Sequence, residues 1–167
     1  MTLLKNNIIL IGMPGSGKST IGVTLAETLE KKFVDTDLLI QQQQGKTLQD
    51  IVDNDGYLTL RVIEEKTLLC LSAQNHVIAT GGSAVYSEAA MVHLKTLGTI
   101  VFLNVDLPEI VARISNFDTR GLARSADQTF SALFNERRPL YQQYADICIN
   151  CAGKTPEMII KEIISLQ

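Results

Sequence analysis

The chain has 167 residues and a formal net charge of −3, with 46% apolar and 20% charged residues. That is the size and balance of one globular domain, able to bury about two-thirds of its unfolded surface without a metal or disulfide staple. The negative charge argues against a nucleic-acid-coating protein, the lack of an apolar run near ~18 residues against a membrane span, and the absence of Trp against a stacking platform for single strands.

In chain order, residues 7–12 read as a strand apolar on both faces, and 18–30 as a helix with Ile21, Leu25, Ala26 and Leu29 on one side. Residues 33–35 form a short second strand, and 37–44 a helix with a polar end. Thr47 is placed to cap a helix from Leu48, with Asp50 three residues on, and Gly56 breaks the pattern before a longer helix over 58–71. A third strand, 76–79, ends in Thr80-Gly81-Gly82. Ser87 caps a helix to about residue 97, Gly98 stops it, and 99–104 is a fourth strand. Pro108 suits the first turn of a helix reaching 115. Residues 116–127 are polar, aperiodic and hold two arginines, which predicts a mobile loop. A helix over 128–144, interrupted or bent near Pro139, precedes a fifth strand at 147–149. Thr155-Pro156 starts the last helix, with Met158, Ile159, Ile163 and Ile164 as its apolar face. The alternation of strands and helices predicts an α/β domain, a parallel sheet with helices on both faces. No repeat, linker or second boundary appears, so 1–167 reads as a single domain.

The strongest chemical signal is Gly12-Met13-Pro14-Gly15-Ser16-Gly17-Lys18-Ser19, which matches G-x-x-x-x-G-K-[ST] between a strand and a helix. Its glycines let backbone N–H groups turn inward around phosphate oxygens, and the helix N-terminus adds partial positive charge. Gly15, Ser16, Gly17, Lys18, Ser19 and Thr20 are therefore expected to hold a nucleoside triphosphate, with the Ser19 hydroxyl on Mg²⁺. No guanine-reading Asn-Lys-x-Asp segment is present, and a motor needs a larger body, so a small-molecule kinase fits best.

Asp35 and Asp37 stand at the exit of the second strand, facing the same crevice as the phosphate loop. Asp35 is expected to hold magnesium, directly or through water. Asp37 is expected to accept a hydrogen bond from an acceptor hydroxyl and take its proton. The structural alternative is that Asp37 caps the following helix.

The segments GMPGSGKST, FVDTD, LRVIEEK, ATGG and NERRPLY occur in the order found in shikimate kinases, and the chain resembles that family nearly end to end. The resemblance implies a three-layer αβα P-loop kinase fold with a five-stranded parallel sheet in the order 2-3-1-4-5. It implies transfer of the γ-phosphoryl of ATP to the 3-hydroxyl of shikimate. By the same resemblance Asp37 contacts the acceptor hydroxyls, and Arg61 and Arg137 bind its carboxylate. Glu64 supports Arg61, and Gly81 and Gly82 approach the acceptor by backbone. Arg120, in a lid of about 116–127, reaches the phosphates and substrate, and Arg113 stacks on adenine. The acceptor-binding region runs over about 37–64. The implied mechanism is direct in-line transfer, with lid closure keeping water out.

Physical chemistry agrees with two of these roles. Planar bidentate guanidinium groups suit a small carboxylate, and Glu64 lies at i+3 from Arg61, within touching reach on a helix. The sequence departs from the family pattern at three places: Ser83 stands for a third glycine, Arg120-Gly121-Leu122-Ala123 for R-P-L-L, and Gly56-Tyr57-Leu58-Thr59-Leu60-Arg61 for G-E-x-x-F-R. These changes leave open another small carboxylated alcohol such as homoserine, or an ATP-binding interaction module without transfer. His76, His93 and the Cys148–Cys151 pair read as structural. The start of the chain, running straight into a glycine-rich loop, does not read as a signal peptide. An odd count of three cysteines predicts reduced thiols and a cytoplasmic chain, taken as a monomer without membrane or nucleic-acid partners.

Overall fold

A computed structural model describes residues 5–114 and 121–167. Its elements are β1 (Asn7–Ile11), α1 (Lys18–Thr28), β2 (Lys32–Asp35), α2 (Thr36–Gln44), α3 (Leu48–Asp55), α4 (Tyr57–Leu69), β3 (His76–Ala79), a 3₁₀ turn (Ala84–Tyr86), α5 (Glu88–Leu97), β4 (Gly98–Asn104), α6 (Leu107–Arg113), α7 (Phe130–Tyr144), β5 (Ile147–Asn150) and α8 (Pro156–Ser165). The strands form one parallel sheet in the order β2-β3-β1-β4-β5, as the resemblance implied. No described helix is long and apolar enough to cross a membrane.

The sheet is the core. Every residue of the central strand β1 is buried, and Ile9, Leu10 and Ile11 are fully enclosed. A parallel strand covered on both faces has to be apolar throughout, which is why β1 lacks alternation. Its one polar residue, Asn7, is satisfied: Nδ2 donates to the carbonyls of Ala73 (2.7 Å) and Leu97 (3.0 Å), and Oδ1 accepts from the His76 amide. A second, small apolar cluster of Ile40, Ile51, Leu60 and Ala123 joins α2, α3 and α4 to the segment after residue 120.

Several expectations change at the edges. Gly98 does not merely stop α5; it is the first residue of β4, extended and paired with Asn7, whose carbonyl lies where a Cβ would stand. Helix α7 runs unbroken through Pro139, because the apolar face of Leu133, Phe134 and Tyr141 buries against the sheet despite the missing donor. On α8 the buried face is Ile159, Ile160 and Ile163, while Met158 is half exposed; the helix is rotated so that Ile160 replaces Met158 in the core. The loop predicted as mobile begins outside the described residues, but 121–123 is docked. The Gly121 amide donates to Gln49 Oε1 at 2.8 Å, and Ala123 is buried. The apolar cluster across α2–α4 supplies a reason for this packing that local polarity hid.

Candidate active site

The phosphate loop joins β1 to α1. Gly17 caps α1 at φ 93°, the left-handed region that glycine adopts without steric cost. Lys18 is buried, and its ammonium donates to the carbonyls of Gly12 (2.8 Å) and Met13 (2.9 Å), so the loop's own backbone holds the cation over the turn. Gly15, Ser16, Gly17, Lys18, Ser19 and Thr20 all line one cleft of about 440 Å³. Arg113, exposed at the end of α6, lines the same cleft; it donates to the Gly15 carbonyl at 3.3 Å and pairs with Glu109.

Asp35, not Asp37, caps α2. Its Oδ1 accepts from the amides of Asp37 (2.9 Å) and Leu38 (3.3 Å), and its Oδ2 accepts from Ser19 Oγ at 2.6 Å. The helix therefore starts one residue earlier than expected, and the Asp37 side chain is left to face the cleft. The strand order brings the exits of β2 and β3 together, so Asp37 comes to stand against Gly81. A Cβ on Gly81 would lie 2.6 Å from Asp37 Oδ1 and closer still to Glu64 Oε1, so only glycine fits between the two acids. A Cβ on Gly82 would sit 2.8 Å from Arg137 Nη1 and 2.9 Å from Pro14 Cδ. The two glycines thus let the acid pair, the arginine and the phosphate loop close in on one strand end.

That strand end is pinned. The Thr80 hydroxyl donates to the Leu10 carbonyl (3.0 Å), the Gly81 amide to Thr36 Oγ1 (3.2 Å), and the Tyr141 hydroxyl to the Gly82 carbonyl (2.7 Å). The Gly81 amide is therefore engaged within the fold.

The two arginines converge. Arg61 Nη2 and Arg137 Nη2 donate to one acceptor, the Ala123 carbonyl, at 3.1 and 3.2 Å. The Tyr86 ring lies beside both guanidinium groups, with its centroid 3.7 Å from the Arg61 carbon and 5.3 Å from that of Arg137. Arg137 is 1% exposed, and Nε also donates to the Tyr86 hydroxyl at 3.2 Å. It forms no ion pair with an acidic side chain among the described residues. A buried, unneutralised guanidinium is costly, by several kcal/mol, unless an anion or many dipoles meet it. Arg137 faces the main cleft directly. Arg61 instead lines an adjoining cavity of about 270 Å³ and is linked to Arg137 through the shared carbonyl and the Tyr86 ring.

The expected Arg61–Glu64 contact is not formed. Glu64 is 3% exposed, its Oε2 accepts from the Ser83 hydroxyl, and its Oε1 has no hydrogen-bond partner among the described residues. Arg61 is drawn away to the Tyr86 ring, a cation–π attraction that a spacing argument on one helix does not see. Burial, with Asp37 nearby, pushes the Glu64 carboxyl up to about 7, opposed by the Ser83 hydrogen bond and by the charges of Arg137 and Lys18. Arg120 lies outside the described residues.

Sequence reasoning missed Tyr86, Tyr141, Thr36 and the Ala123 carbonyl. Tyr141 was reachable, since it stands at i+4 from Arg137 in NERRPLY and so shares its face. Tyr86 and Ala123 carried no local signal. The thiol pair behaves as expected: burial raises Cys148 and pushes Cys151 up to about 11, so neither is a thiolate at neutral pH.

Residues 14–167 match the family model described as shikimate kinase. A shikimate kinase from Sulfurihydrogenibium sp. (strain YO3AOP1) is 38% identical over 160 residues, covering 95% of this chain and 96% of that protein. Among solved structures, shikimate kinase from Acinetobacter baumannii in complex with shikimate superposes with a TM-score of 0.88 at 30% identity, over 96% of this chain and 92% of that one. Shikimate kinase from Aquifex aeolicus gives 0.80 at 35% identity, over 95% and 94%.

Proposed function

The chain belongs to the shikimate kinase family, a family of small-molecule kinases that use ATP, and from that premise we propose that it phosphorylates the 3-hydroxyl of shikimate. One observation carries the acid-bearing class of acceptor, within which the choice of shikimate rests on the family: a buried arginine, Arg137, faces the cleft with no acidic partner in contact among the described residues. An acceptor carboxylate meets that charge, and Arg61, tied to Arg137 through Ala123, widens the anionic subsite. Across the cleft, Lys18 and the loop amides receive the nucleotide phosphates, and Lys18 offsets charge on the transferred group. Arg113, on the phosphate-loop side, is the candidate for the adenine.

The acceptor hydroxyl lies against Asp37, which orients it and takes its proton during in-line attack. The bound Asp35–Ser19 pair offers two hard oxygens 2.6 Å apart beside the phosphate loop, a donor set that fits Mg²⁺. Ser19 and Asp35 would hold the ion, which would supply positive charge to offset that of the phosphates. The docked segment 121–123 walls the acceptor end, which limits wasteful attack by water. Arg120 remains the proposed lid cation over the phosphates.

Coupled measurement of ADP release with shikimate and with homoserine tests the reading. Shikimate-dependent release is expected, with homoserine inert; release with homoserine alone, or with neither, contradicts it.

A further inference from the structure

Ser83 opens the 3₁₀ turn after β3, yet its hydroxyl caps nothing there. It points instead to Glu64, on α4, and donates to Oε2. Ser83 and Glu64 are both buried, and both line the acceptor end of the main cleft. A glycine at this position would leave Glu64 without its one hydrogen-bond donor among the described residues, because Arg61 is turned toward Tyr86 and shares the Ala123 carbonyl. The other carboxylate oxygen, Oε1, is buried, unpartnered among the described residues, and stands with Asp37 Oδ1 over the Cα of Gly81. A buried polar atom without a partner is costly, and one aimed into a cleft is satisfied by what the cleft binds.

We propose that Ser83 is a positioning residue for acceptor recognition, anchoring Glu64 through Oε2 so that Oε1 stands beside Asp37 as a second hydrogen-bonding oxygen for the acceptor's hydroxyl groups. Two carboxyl groups side by side then read an acceptor bearing more than one hydroxyl, while Arg137 reads its carboxylate at the other end. This deepens the kinase reading above and rests on it. It gives Ser83 a task that its hydroxyl performs and that the backbone alone cannot.

The test compares Ser83→Ala and Ser83→Gly, which delete the hydroxyl, with Ser83→Thr, which keeps it. Each is assayed beside the unaltered chain by coupled ADP release over ranges of shikimate and of ATP. The deletions are expected to raise the shikimate KM about tenfold, leaving kcat and the ATP KM within about twofold, and Thr is expected to restore most of the loss. In a Glu64→Gln background, Ser83→Ala is expected to add less than about twofold, because the hydroxyl acts through Glu64. A shikimate KM unchanged in both deletions overturns the proposal. So does an equal rise in the ATP KM, or a full tenfold effect persisting in the Glu64→Gln background. Absence of shikimate-dependent ADP release by the unaltered chain overturns the kinase reading itself, and the proposal with it.

Discussion

The two ends of the cleft are built on different principles. The nucleotide end is one contiguous loop, in which Lys18 is held by the carbonyls of Gly12 and Met13. The acceptor end collects side chains from distant parts of the chain: Asp37 from α2, Arg61 and Glu64 from α4, Ser83 from the turn after β3, and Arg137 from α7. Two of these charges, Glu64 and Arg137, are buried, and each is met by a neighbour from another element. The difference teaches that the nucleotide end is encoded in one local segment, whereas the acceptor end is distributed and is held by contacts between distant elements.

If that contrast is right, the largest effect falls on chemistry at the acceptor end. Asp37→Asn is expected to lower kcat by about 10²–10⁴-fold while ATP binding, measured by calorimetry, stays within about twofold. Unchanged turnover would remove Asp37 from the mechanism. Arg61→Lys comes next. Loss of the planar fork on Tyr86 and Ala123 is expected to raise the acceptor KM about tenfold without changing the ATP KM. A rise confined to the ATP KM would assign Arg61 to the wrong end.

Glu64 gives the comparison a pH signature. Its carboxyl ordinarily titrates near 4.5 and in the fold is pushed up to about 7. Between those values the folded chain holds a proton that the unfolded chain has released, so this group makes stability fall as pH rises through the window and level off above it. The span corresponds to at most about 3 kcal/mol. Glu64→Gln is expected to remove that contribution, so its stability relative to the unaltered chain is greater at about pH 8 than at about pH 5. Denaturant titration at the two pH values checks it, and a pH-independent difference would count against the buried-acid account. The smallest effect lies outside both ends. Thr47 caps α3 through a reciprocal pair with Asp50. Thr47→Ala is expected to cost about 1 kcal/mol and about 2–4 °C in Tm, followed by calorimetry.

The same contrast governs what the residues disclosed before any coordinates. The phosphate loop, its flanking strand and helix, and the Thr47, Ser87 and Thr155 caps are local patterns, and each appears where its spacing placed it. The place of Asp37 in the cleft was legible because a strand exit beside a phosphate loop is a topological consequence. The partners of Glu64 and Arg61 were not, because three elements compete for each: spacing along α4 favoured their mutual contact, and Ser83 and Tyr86 won it. Docking of 121–123 was likewise hidden, since the cluster receiving Ala123 spans α2, α3 and α4.

The most direct measurement is a crystal structure with shikimate and ADP bound. The account predicts the acceptor's carboxylate on Arg137, with Arg61 behind it, and its 3-hydroxyl against Asp37 facing the phosphate loop. A carboxylate lying away from Arg137, or a 3-hydroxyl out of reach of Asp37, would contradict it.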